Sequence, residues 1–170
     1  GDLAVKLYKE DIEAALRTKD FGGFELLSLS DYTGQSTATV GILDVFYESK
    51  GLISSDEFKN FAGEAVPLFK AKRIFKNTDT LEAELDLYDF GEKKINNPVY
   101  NLTVQNGEQV FYKTSTTESK VSIPLNSITK STMLSVMLEV NGYKNTWRIF
   151  VFVENKIENN VRMIKSEEEL

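Results

Sequence analysis

The stretch that decides the fold runs from Thr132 to Val153: TMLSVMLEVNGYKNTWRIFVFV. Leu134, Val136, Leu138 and Val140 alternate with more polar residues, the period of a strand with one buried face. Asn141-Gly142 follows, the strongest two-residue hairpin signal, because both residues tolerate the positive φ that a type I′ turn demands. Trp147, Ile149, Val151 and Val153 return on the second arm. Phe150 and Phe152 then point the other way. Both faces of this arm are apolar, and the outer one is expected to meet another domain.

Working outward, the same period recurs. In TLEAELDLYDF (80–90), Leu81, Ala83, Leu85 and Leu87 take one side, and Glu82, Glu84, Asp86 and Tyr88 the other. Tyr100, Leu102 and Val104 alternate likewise. Turn signals fall at NNP, NG and TTES, so about seven strands are expected between 67 and 153, an antiparallel β-sandwich of immunoglobulin-like size.

The N-terminal part follows a different rule. Residues 3–18 predict a helix at least from Tyr8 onward, with Ile12, Ala15 and Leu16 on one face. Asp20-Phe21-Gly22-Gly23 stops it. FELLSL (24–29) is short, apolar and bounded by turn residues, which predicts a buried strand and so one helix–strand unit of an α/β layer. TVGILDVFYESKG (39–51) is ambiguous. In SSDEFKNFAG (54–63), Ser54 and Glu57 have capping-box spacing, Phe58 and Phe61 share a face, and Gly63 ends the helix. At the C-terminus, VRMIKSEEEL predicts a short strand and then a helix opening at Ser166 with Glu169 at capping-box spacing. The chain is therefore expected to divide into an α/β segment (1–66), a sandwich (67–155) and a tail (156–170) that begins a further module. It is expected to be cut from something longer at both ends.

Composition narrows the chemistry. The 170 residues are 41% hydrophobic and 27% charged, enough to bury a core. A net charge of −6 argues against nucleic acid as partner. With no cysteine and no histidine, thiol catalysis, a Ser-His-Asp triad and His- or Cys-ligated zinc are excluded. No stretch approaches the roughly 18 apolar residues of a membrane span. No cofactor is expected.

Four groups of residues are candidates for chemistry. Asp31, Tyr32 and Gln35 sit where residues 24–29 would open into a loop. If those residues form a barrel strand, this is where functional groups gather. Asp and Gln can bond sugar hydroxyls, and Tyr can stack on a sugar face. The alternative, which the residues alone favour, is that Asp31 and Thr33 hold the turn through side-chain to backbone bonds. FYESKGLISSDEF (46–58) mimics a calcium loop, but Phe46 and Lys50 would fall on ligand positions, so no metal is expected. Glycoside hydrolysis needs two carboxylates about 5 to 10 Å apart. Asp31, Asp44 and Glu48 are the only acids in a plausible loop region, and nothing pairs any two of them. No catalytic residue is therefore assigned. The aromatic residues of the sandwich, Tyr143 and Trp147 among them, are read as core before they are read as a sugar platform.

EDIEAALRTKDFGGFELLSLSDYTGQSTATVGILDVFYESKGLISSDEFKNF (10–61) resembles the last helix and strand of the TIM-barrel catalytic domain in glycoside hydrolase family 2, beta-galactosidase-like proteins of the Bacteroides type. Phe24, Leu26, Leu27, Leu29, Asp31, Gly34, Gln35, Thr37, Ala38, Leu43, Asp44, Phe46, Lys50 and Gly51 match the group's pattern. Ser30, Tyr32, Ser36 and Tyr47 depart from its usual His, Phe, Gly and Trp. NTWRIFVFV is similar to the group's closing sandwich strand. The resemblance implies a mainly β chain, an immunoglobulin-like sandwich preceded by a barrel remnant. It also implies a retaining glycosidase parent whose two catalytic glutamates lie on earlier strands, outside this chain. The implied partners are a carbohydrate through the parent, the rest of the parent chain, and a second copy where apolar surface (Leu7, Ile12, Leu16, Leu26, Leu27) stays uncovered. The implied location is periplasmic or extracellular. A non-catalytic carbohydrate-binding module and a structural spacer remain the alternatives.

Overall fold

A computed structural model describes residues 1–34 and 40–154. The chain is mainly β and its sheets are almost wholly antiparallel. Two helices, α1 (Asp2–Leu16) and α2 (Ser55–Ala62), precede eight strands among the described residues: β1 (Ala65–Lys70), β2 (Ile74–Lys76), β3 (Thr80–Asp89), β4 (Tyr100–Asn106), β5 (Gln109–Thr116), β6 (Lys120–Pro124), β7 (Thr132–Val140) and β8 (Tyr143–Phe152). They form a three-stranded sheet, β1-β3-β6, and a five-stranded sheet, β2-β8-β7-β4-β5. One pairing departs from the antiparallel expectation: β2 runs parallel to β8.

The sandwich core follows the alternation in the sequence. Leu81, Ala83 and Leu85 of one sheet pack with Leu102, Val104, Leu134, Val136, Leu138, Trp147 and Ile149 of the other. Each fully buried aliphatic side chain contributes about 1.5–3 kcal/mol relative to exposure. The β7–β8 turn has φ of 51° at Asn141 and 88° at Gly142, as the expected hairpin requires. Phe150 and Phe152 lie exposed on the outer face, beside Met133 and Ile74 of the neighbouring strands.

A second, smaller core joins the helices to the sandwich. Ile12 and Leu16 of α1 pack with Phe61 of α2 and with Val66 and Leu68 of β1. Phe69 of β1 faces the sandwich core instead. β1 is thus covered on both sides, which explains its uninterrupted run Ala-Val-Pro-Leu-Phe. Helix α2 carries the expected capping box: Ser54 Oγ accepts from the Glu57 amide at 3.2 Å, and Glu57 accepts from the Ser54 amide at 3.0 Å.

The expected barrel remnant does not form as a helix–strand unit. The helix forms, but residues 24–29 are not a strand; they run as irregular backbone with Ser28 at φ 66° and Leu27 84% exposed. Nearby, among the described residues, stand two isolated bridges, a parallel one from Ser30 to Leu43 and an antiparallel one from Leu43 to Ser49. A strand needs a continuous partner on its edge, and residues 24–28 have no ladder to one among the described residues. Residues 40–51 are neither helix nor regular strand. After α1 the left-handed position falls on Asp20, φ 59°, ahead of the glycine pair. Residues 35–39 and the tail from 155, with its expected strand and Ser166 cap, lie outside the described residues.

Candidate functional site

The loop that begins at Ser30 is built around Asp31. Its carboxylate accepts from the Gly41 amide at 2.9 Å and from Lys50 Nζ at 2.8 Å, with the second oxygen 2.6 Å from the same ammonium. Lys50 also donates to the Gly41 carbonyl at 2.9 Å. The Asp31 amide donates to Leu43, and the amides of Ile42 and Leu43 to Leu29. Gly41 is required by closeness: a Cβ there would lie 2.4 Å from the Ser30 carbonyl carbon. Asp31 therefore ties together residues 31, 41 and 50, the turn-holding role.

Asp44, three residues on from Gly41, does similar work. Its Oδ1 accepts from the amides of Phe46 at 2.8 Å and Glu48 at 2.9 Å, holding a turn in which Tyr47 takes φ 64°. Among the described residues no hydrogen bond or ion pair joins Asp31 to Asp44 or Glu48. Tyr32 is 62% exposed, and its ring lies so close over Gly34 that a Cβ there would sit 2.5 Å from it. Gln35 lies outside the described residues. Phe46 and Tyr47 are 78% and 73% exposed, so the braced loop carries three solvent-facing aromatic rings. Trp147 is buried at 4%, which removes it as a sugar platform; Tyr143 is half-buried.

The most concentrated chemistry is at Glu13, which the sequence analysis passed over. This fully buried carboxylate on α1 accepts from Trp147 Nε1 at 2.8 Å, from Asn145 Nδ2 at 2.8 Å and from Arg17 at 3.2 Å, and it pairs with Lys9. Asn145 also donates to the Pro67 carbonyl at 3.1 Å and accepts from Lys9 Nζ at 2.8 Å. The Lys9 ammonium sits 4.7 Å from the Trp147 ring centroid and 5.7 Å from that of Phe61. Burial lowers the pKa of Lys9 from its ordinary value, against the pull of Glu13. A signal was present in the sequence. Glu13 lies between Ile12 and Leu16 on the apolar face, with cations four residues away on either side.

At the end of β3, Asp89 closes a small cage. Its carboxylate accepts from the amides of Gly91 and Ile95, both at 2.8 Å, and the Ile95 bond leads in holding its pKa below the usual carboxylate range. Groups of three or more acidic residues able to hold a metal are absent among the described residues.

Residues 79–153, less than half of the chain, match a family model described as a domain of unknown function (DUF8488). No curated protein matches. Among solved structures, the three N-terminal domains of the bacteriophage RB49 highly immunogenic outer capsid protein are similar at 13% identity and TM-score 0.38, over 53% of this chain and 30% of that one. Bacteroides uniformis beta-glucuronidase 3 is similar at 10% identity and TM-score 0.31, over 88% of this chain and 20% of that one. Bacteroides uniformis beta-glucuronidase 2, covalently bound to cyclophellitol-6-carboxylate aziridine, is similar at 12% identity and TM-score 0.32, over 90% and 20%. The chain thus spans about a fifth of the length of these glycoside hydrolases. At these TM-scores none of the likenesses carries an argument about fold or activity.

Proposed function

We propose that this chain is the supporting part of a glycoside hydrolase-like protein. In this reading segment 1–66 stands against a catalytic barrel supplied by the rest of the parent chain, and the sandwich carries that segment. The observation that supports it is a concentration of exposed apolar side chains in one segment. Phe21, Phe24, Leu27, Leu29, Val40 and Phe46 are all exposed, and all belong to the segment that resembles the barrel's end. Large exposed apolar surface marks interaction sites. The helix beside it is docked on the sandwich through Ile12, Leu16 and Glu13.

On this reading Tyr32 and the rim of the Asp31 loop form one wall of a sugar-binding cleft, and the acid/base and nucleophile glutamates come from the parent. The parent works in the periplasm or outside the cell. The test is Tyr32→Ala in the parent protein. The expected result is a loss of about tenfold or more in kcat/KM with an unchanged melting temperature. Full activity in the variant contradicts the reading.

A second reading, sugar binding without catalysis, draws on the exposed rings of Tyr32, Phe46 and Tyr47 on a braced loop. Binding of neutral oligosaccharides to the isolated chain, lost in Phe46→Ala with Tyr47→Ala, would favour it over the first.

A further inference from the structure

The contacts of residues 1–53 fall into two sets. One set is internal. Tyr8 donates to the Val40 carbonyl at 3.2 Å, Lys50 pairs with Asp31, and Gly1 lies against the Leu52 side chain. The other set crosses to the sandwich, and at its centre is Glu13. Around it are the apolar contacts of Ile12 and Leu16, and two exposed links: Arg73 with Glu10 at 3.1 Å, and the Tyr88 hydroxyl with the Phe21 carbonyl at 2.8 Å. Helix α2 packs on β1 and β8 and so belongs to the sandwich side. Gly51, near the end of the N-terminal body, takes φ 70° with open space around it.

Polar groups and a small apolar cluster together hold the two sides. Glu13 brings a buried charge that the sandwich answers with only two neutral donors, Asn145 and Trp147, while both cations come from its own helix. Each donor is within hydrogen-bond reach only in the docked position. When the helix withdraws, Glu13, Lys9 and Arg17 remain neighbours at spacings of four and regain water together. The Glu13 charge cluster therefore travels with the helix, and the ion pair that opening separates is the exposed one between Arg73 and Glu10.

We infer that Glu13, Asn145 and Trp147 form a latch by which the N-terminal body, residues 1–53, docks on the sandwich and releases from it while both sheets stay folded. Glu13 is a positioning residue in this device. The inference does not rest on the glycosidase reading, because its test needs no activity.

Trp147 is the only tryptophan in the chain, so its indole N–H reports the latch alone. The experiment is native-state hydrogen exchange on the full chain, following the Trp147 indole N–H, the backbone amides of β7 and β8, and the amides of Gly41 and Leu43, whose bonds are internal to the N-terminal body. In the wild-type chain the indole proton is expected to be about tenfold or more less protected than the β7 and β8 amides, because release is a local opening. Glu13→Gln leaves Lys9 buried without its carboxylate and is expected to lower indole protection by about a further hundredfold. The β7, β8, Gly41 and Leu43 amides should change by no more than about threefold. Indole protection equal to that of the strands in the wild type overturns the latch, since helix and sandwich would then open only together. Equal loss at the indole and the strands in Glu13→Gln, or no loss at the indole, overturns it as well. The wild-type comparison stands even if the variant fails to fold.

Discussion

Trp147, on the last strand of the sandwich, donates its indole N–H to Glu13, on the first helix, across 2.8 Å. The bond joins the N-terminal helix to the last strand, and both partners are buried. That makes the carboxylate costly to leave unmatched, and the partners costly to lose.

Trp147→Phe keeps an aromatic ring in the core but removes the donor. One oxygen of Glu13 then loses its neutral partner. We expect a loss of about 1–3 kcal/mol, read from the shift in denaturant midpoint by circular dichroism. Asn145→Leu removes donors to both Glu13 and Pro67 and should cost at least as much. A change below about 0.5 kcal/mol in both would mean that water replaces these bonds freely.

The hairpin turn makes a sharper prediction. Asn141 holds φ 51° and Gly142 φ 88°. Asn141→Ala should destabilise the chain by about 1 kcal/mol, and Gly142→Val by more, because side chains with a Cβ resist the left-handed region. Equal stability of Asn141→Ala and the parent sequence would show that the turn relaxes to another type.

Acid should loosen one loop before the rest. Asp89 has a lowered pKa in the folded chain, set first by the Ile95 amide. A carboxyl depressed on folding adds stability that is complete above its unfolded value of about 3.8 and is lost as pH falls through the lower folded value. Amide exchange at Gly91 and Ile95, corrected for intrinsic rate, should accelerate below that pH in the wild type. In Asp89→Asn it should already be fast at neutral pH. The same protection in both chains at pH 7 would refute the cage.

The uncovered apolar segment predicts association. Leu27 and Phe46 touch water over most of their surface. The isolated chain should show a concentration-dependent sedimentation coefficient, and Leu27→Lys with Phe46→Ser should reduce it while the melting temperature stays within about 2 °C. An unchanged sedimentation profile in the double variant would place self-association elsewhere, with the exposed Phe150–Met133–Ile74 row the next surface to alter.

What could be read in advance divides by range. Asn141-Gly142 and Ser54 with Glu57 act through neighbours in the chain, so their residue types announce the turn and the cap. The alternation of Leu81, Ala83 and Leu85, or of Leu134 to Val140, announces a buried face without naming the sheet opposite. FELLSL has the composition of a strand, but a strand is made by its partners, and among the described residues only its end, at Leu29, is bonded to a neighbouring segment. Glu13 was hidden for the same reason. Its decisive partners, Asn145 and Trp147, lie 132 and 134 residues away. Asp31 was legible as a loop residue. That its carboxylate closes on Lys50 and Gly41 depends on a close approach at Gly41 that no local pattern encodes.

The most direct test of the central proposal is the intact mass of the native gene product isolated from its own organism. The account predicts a protein several times the 19.2 kDa of this chain, with the barrel that the exposed segment is proposed to meet. A native product near 19.2 kDa would contradict it and leave a stand-alone sandwich protein with a latched helix.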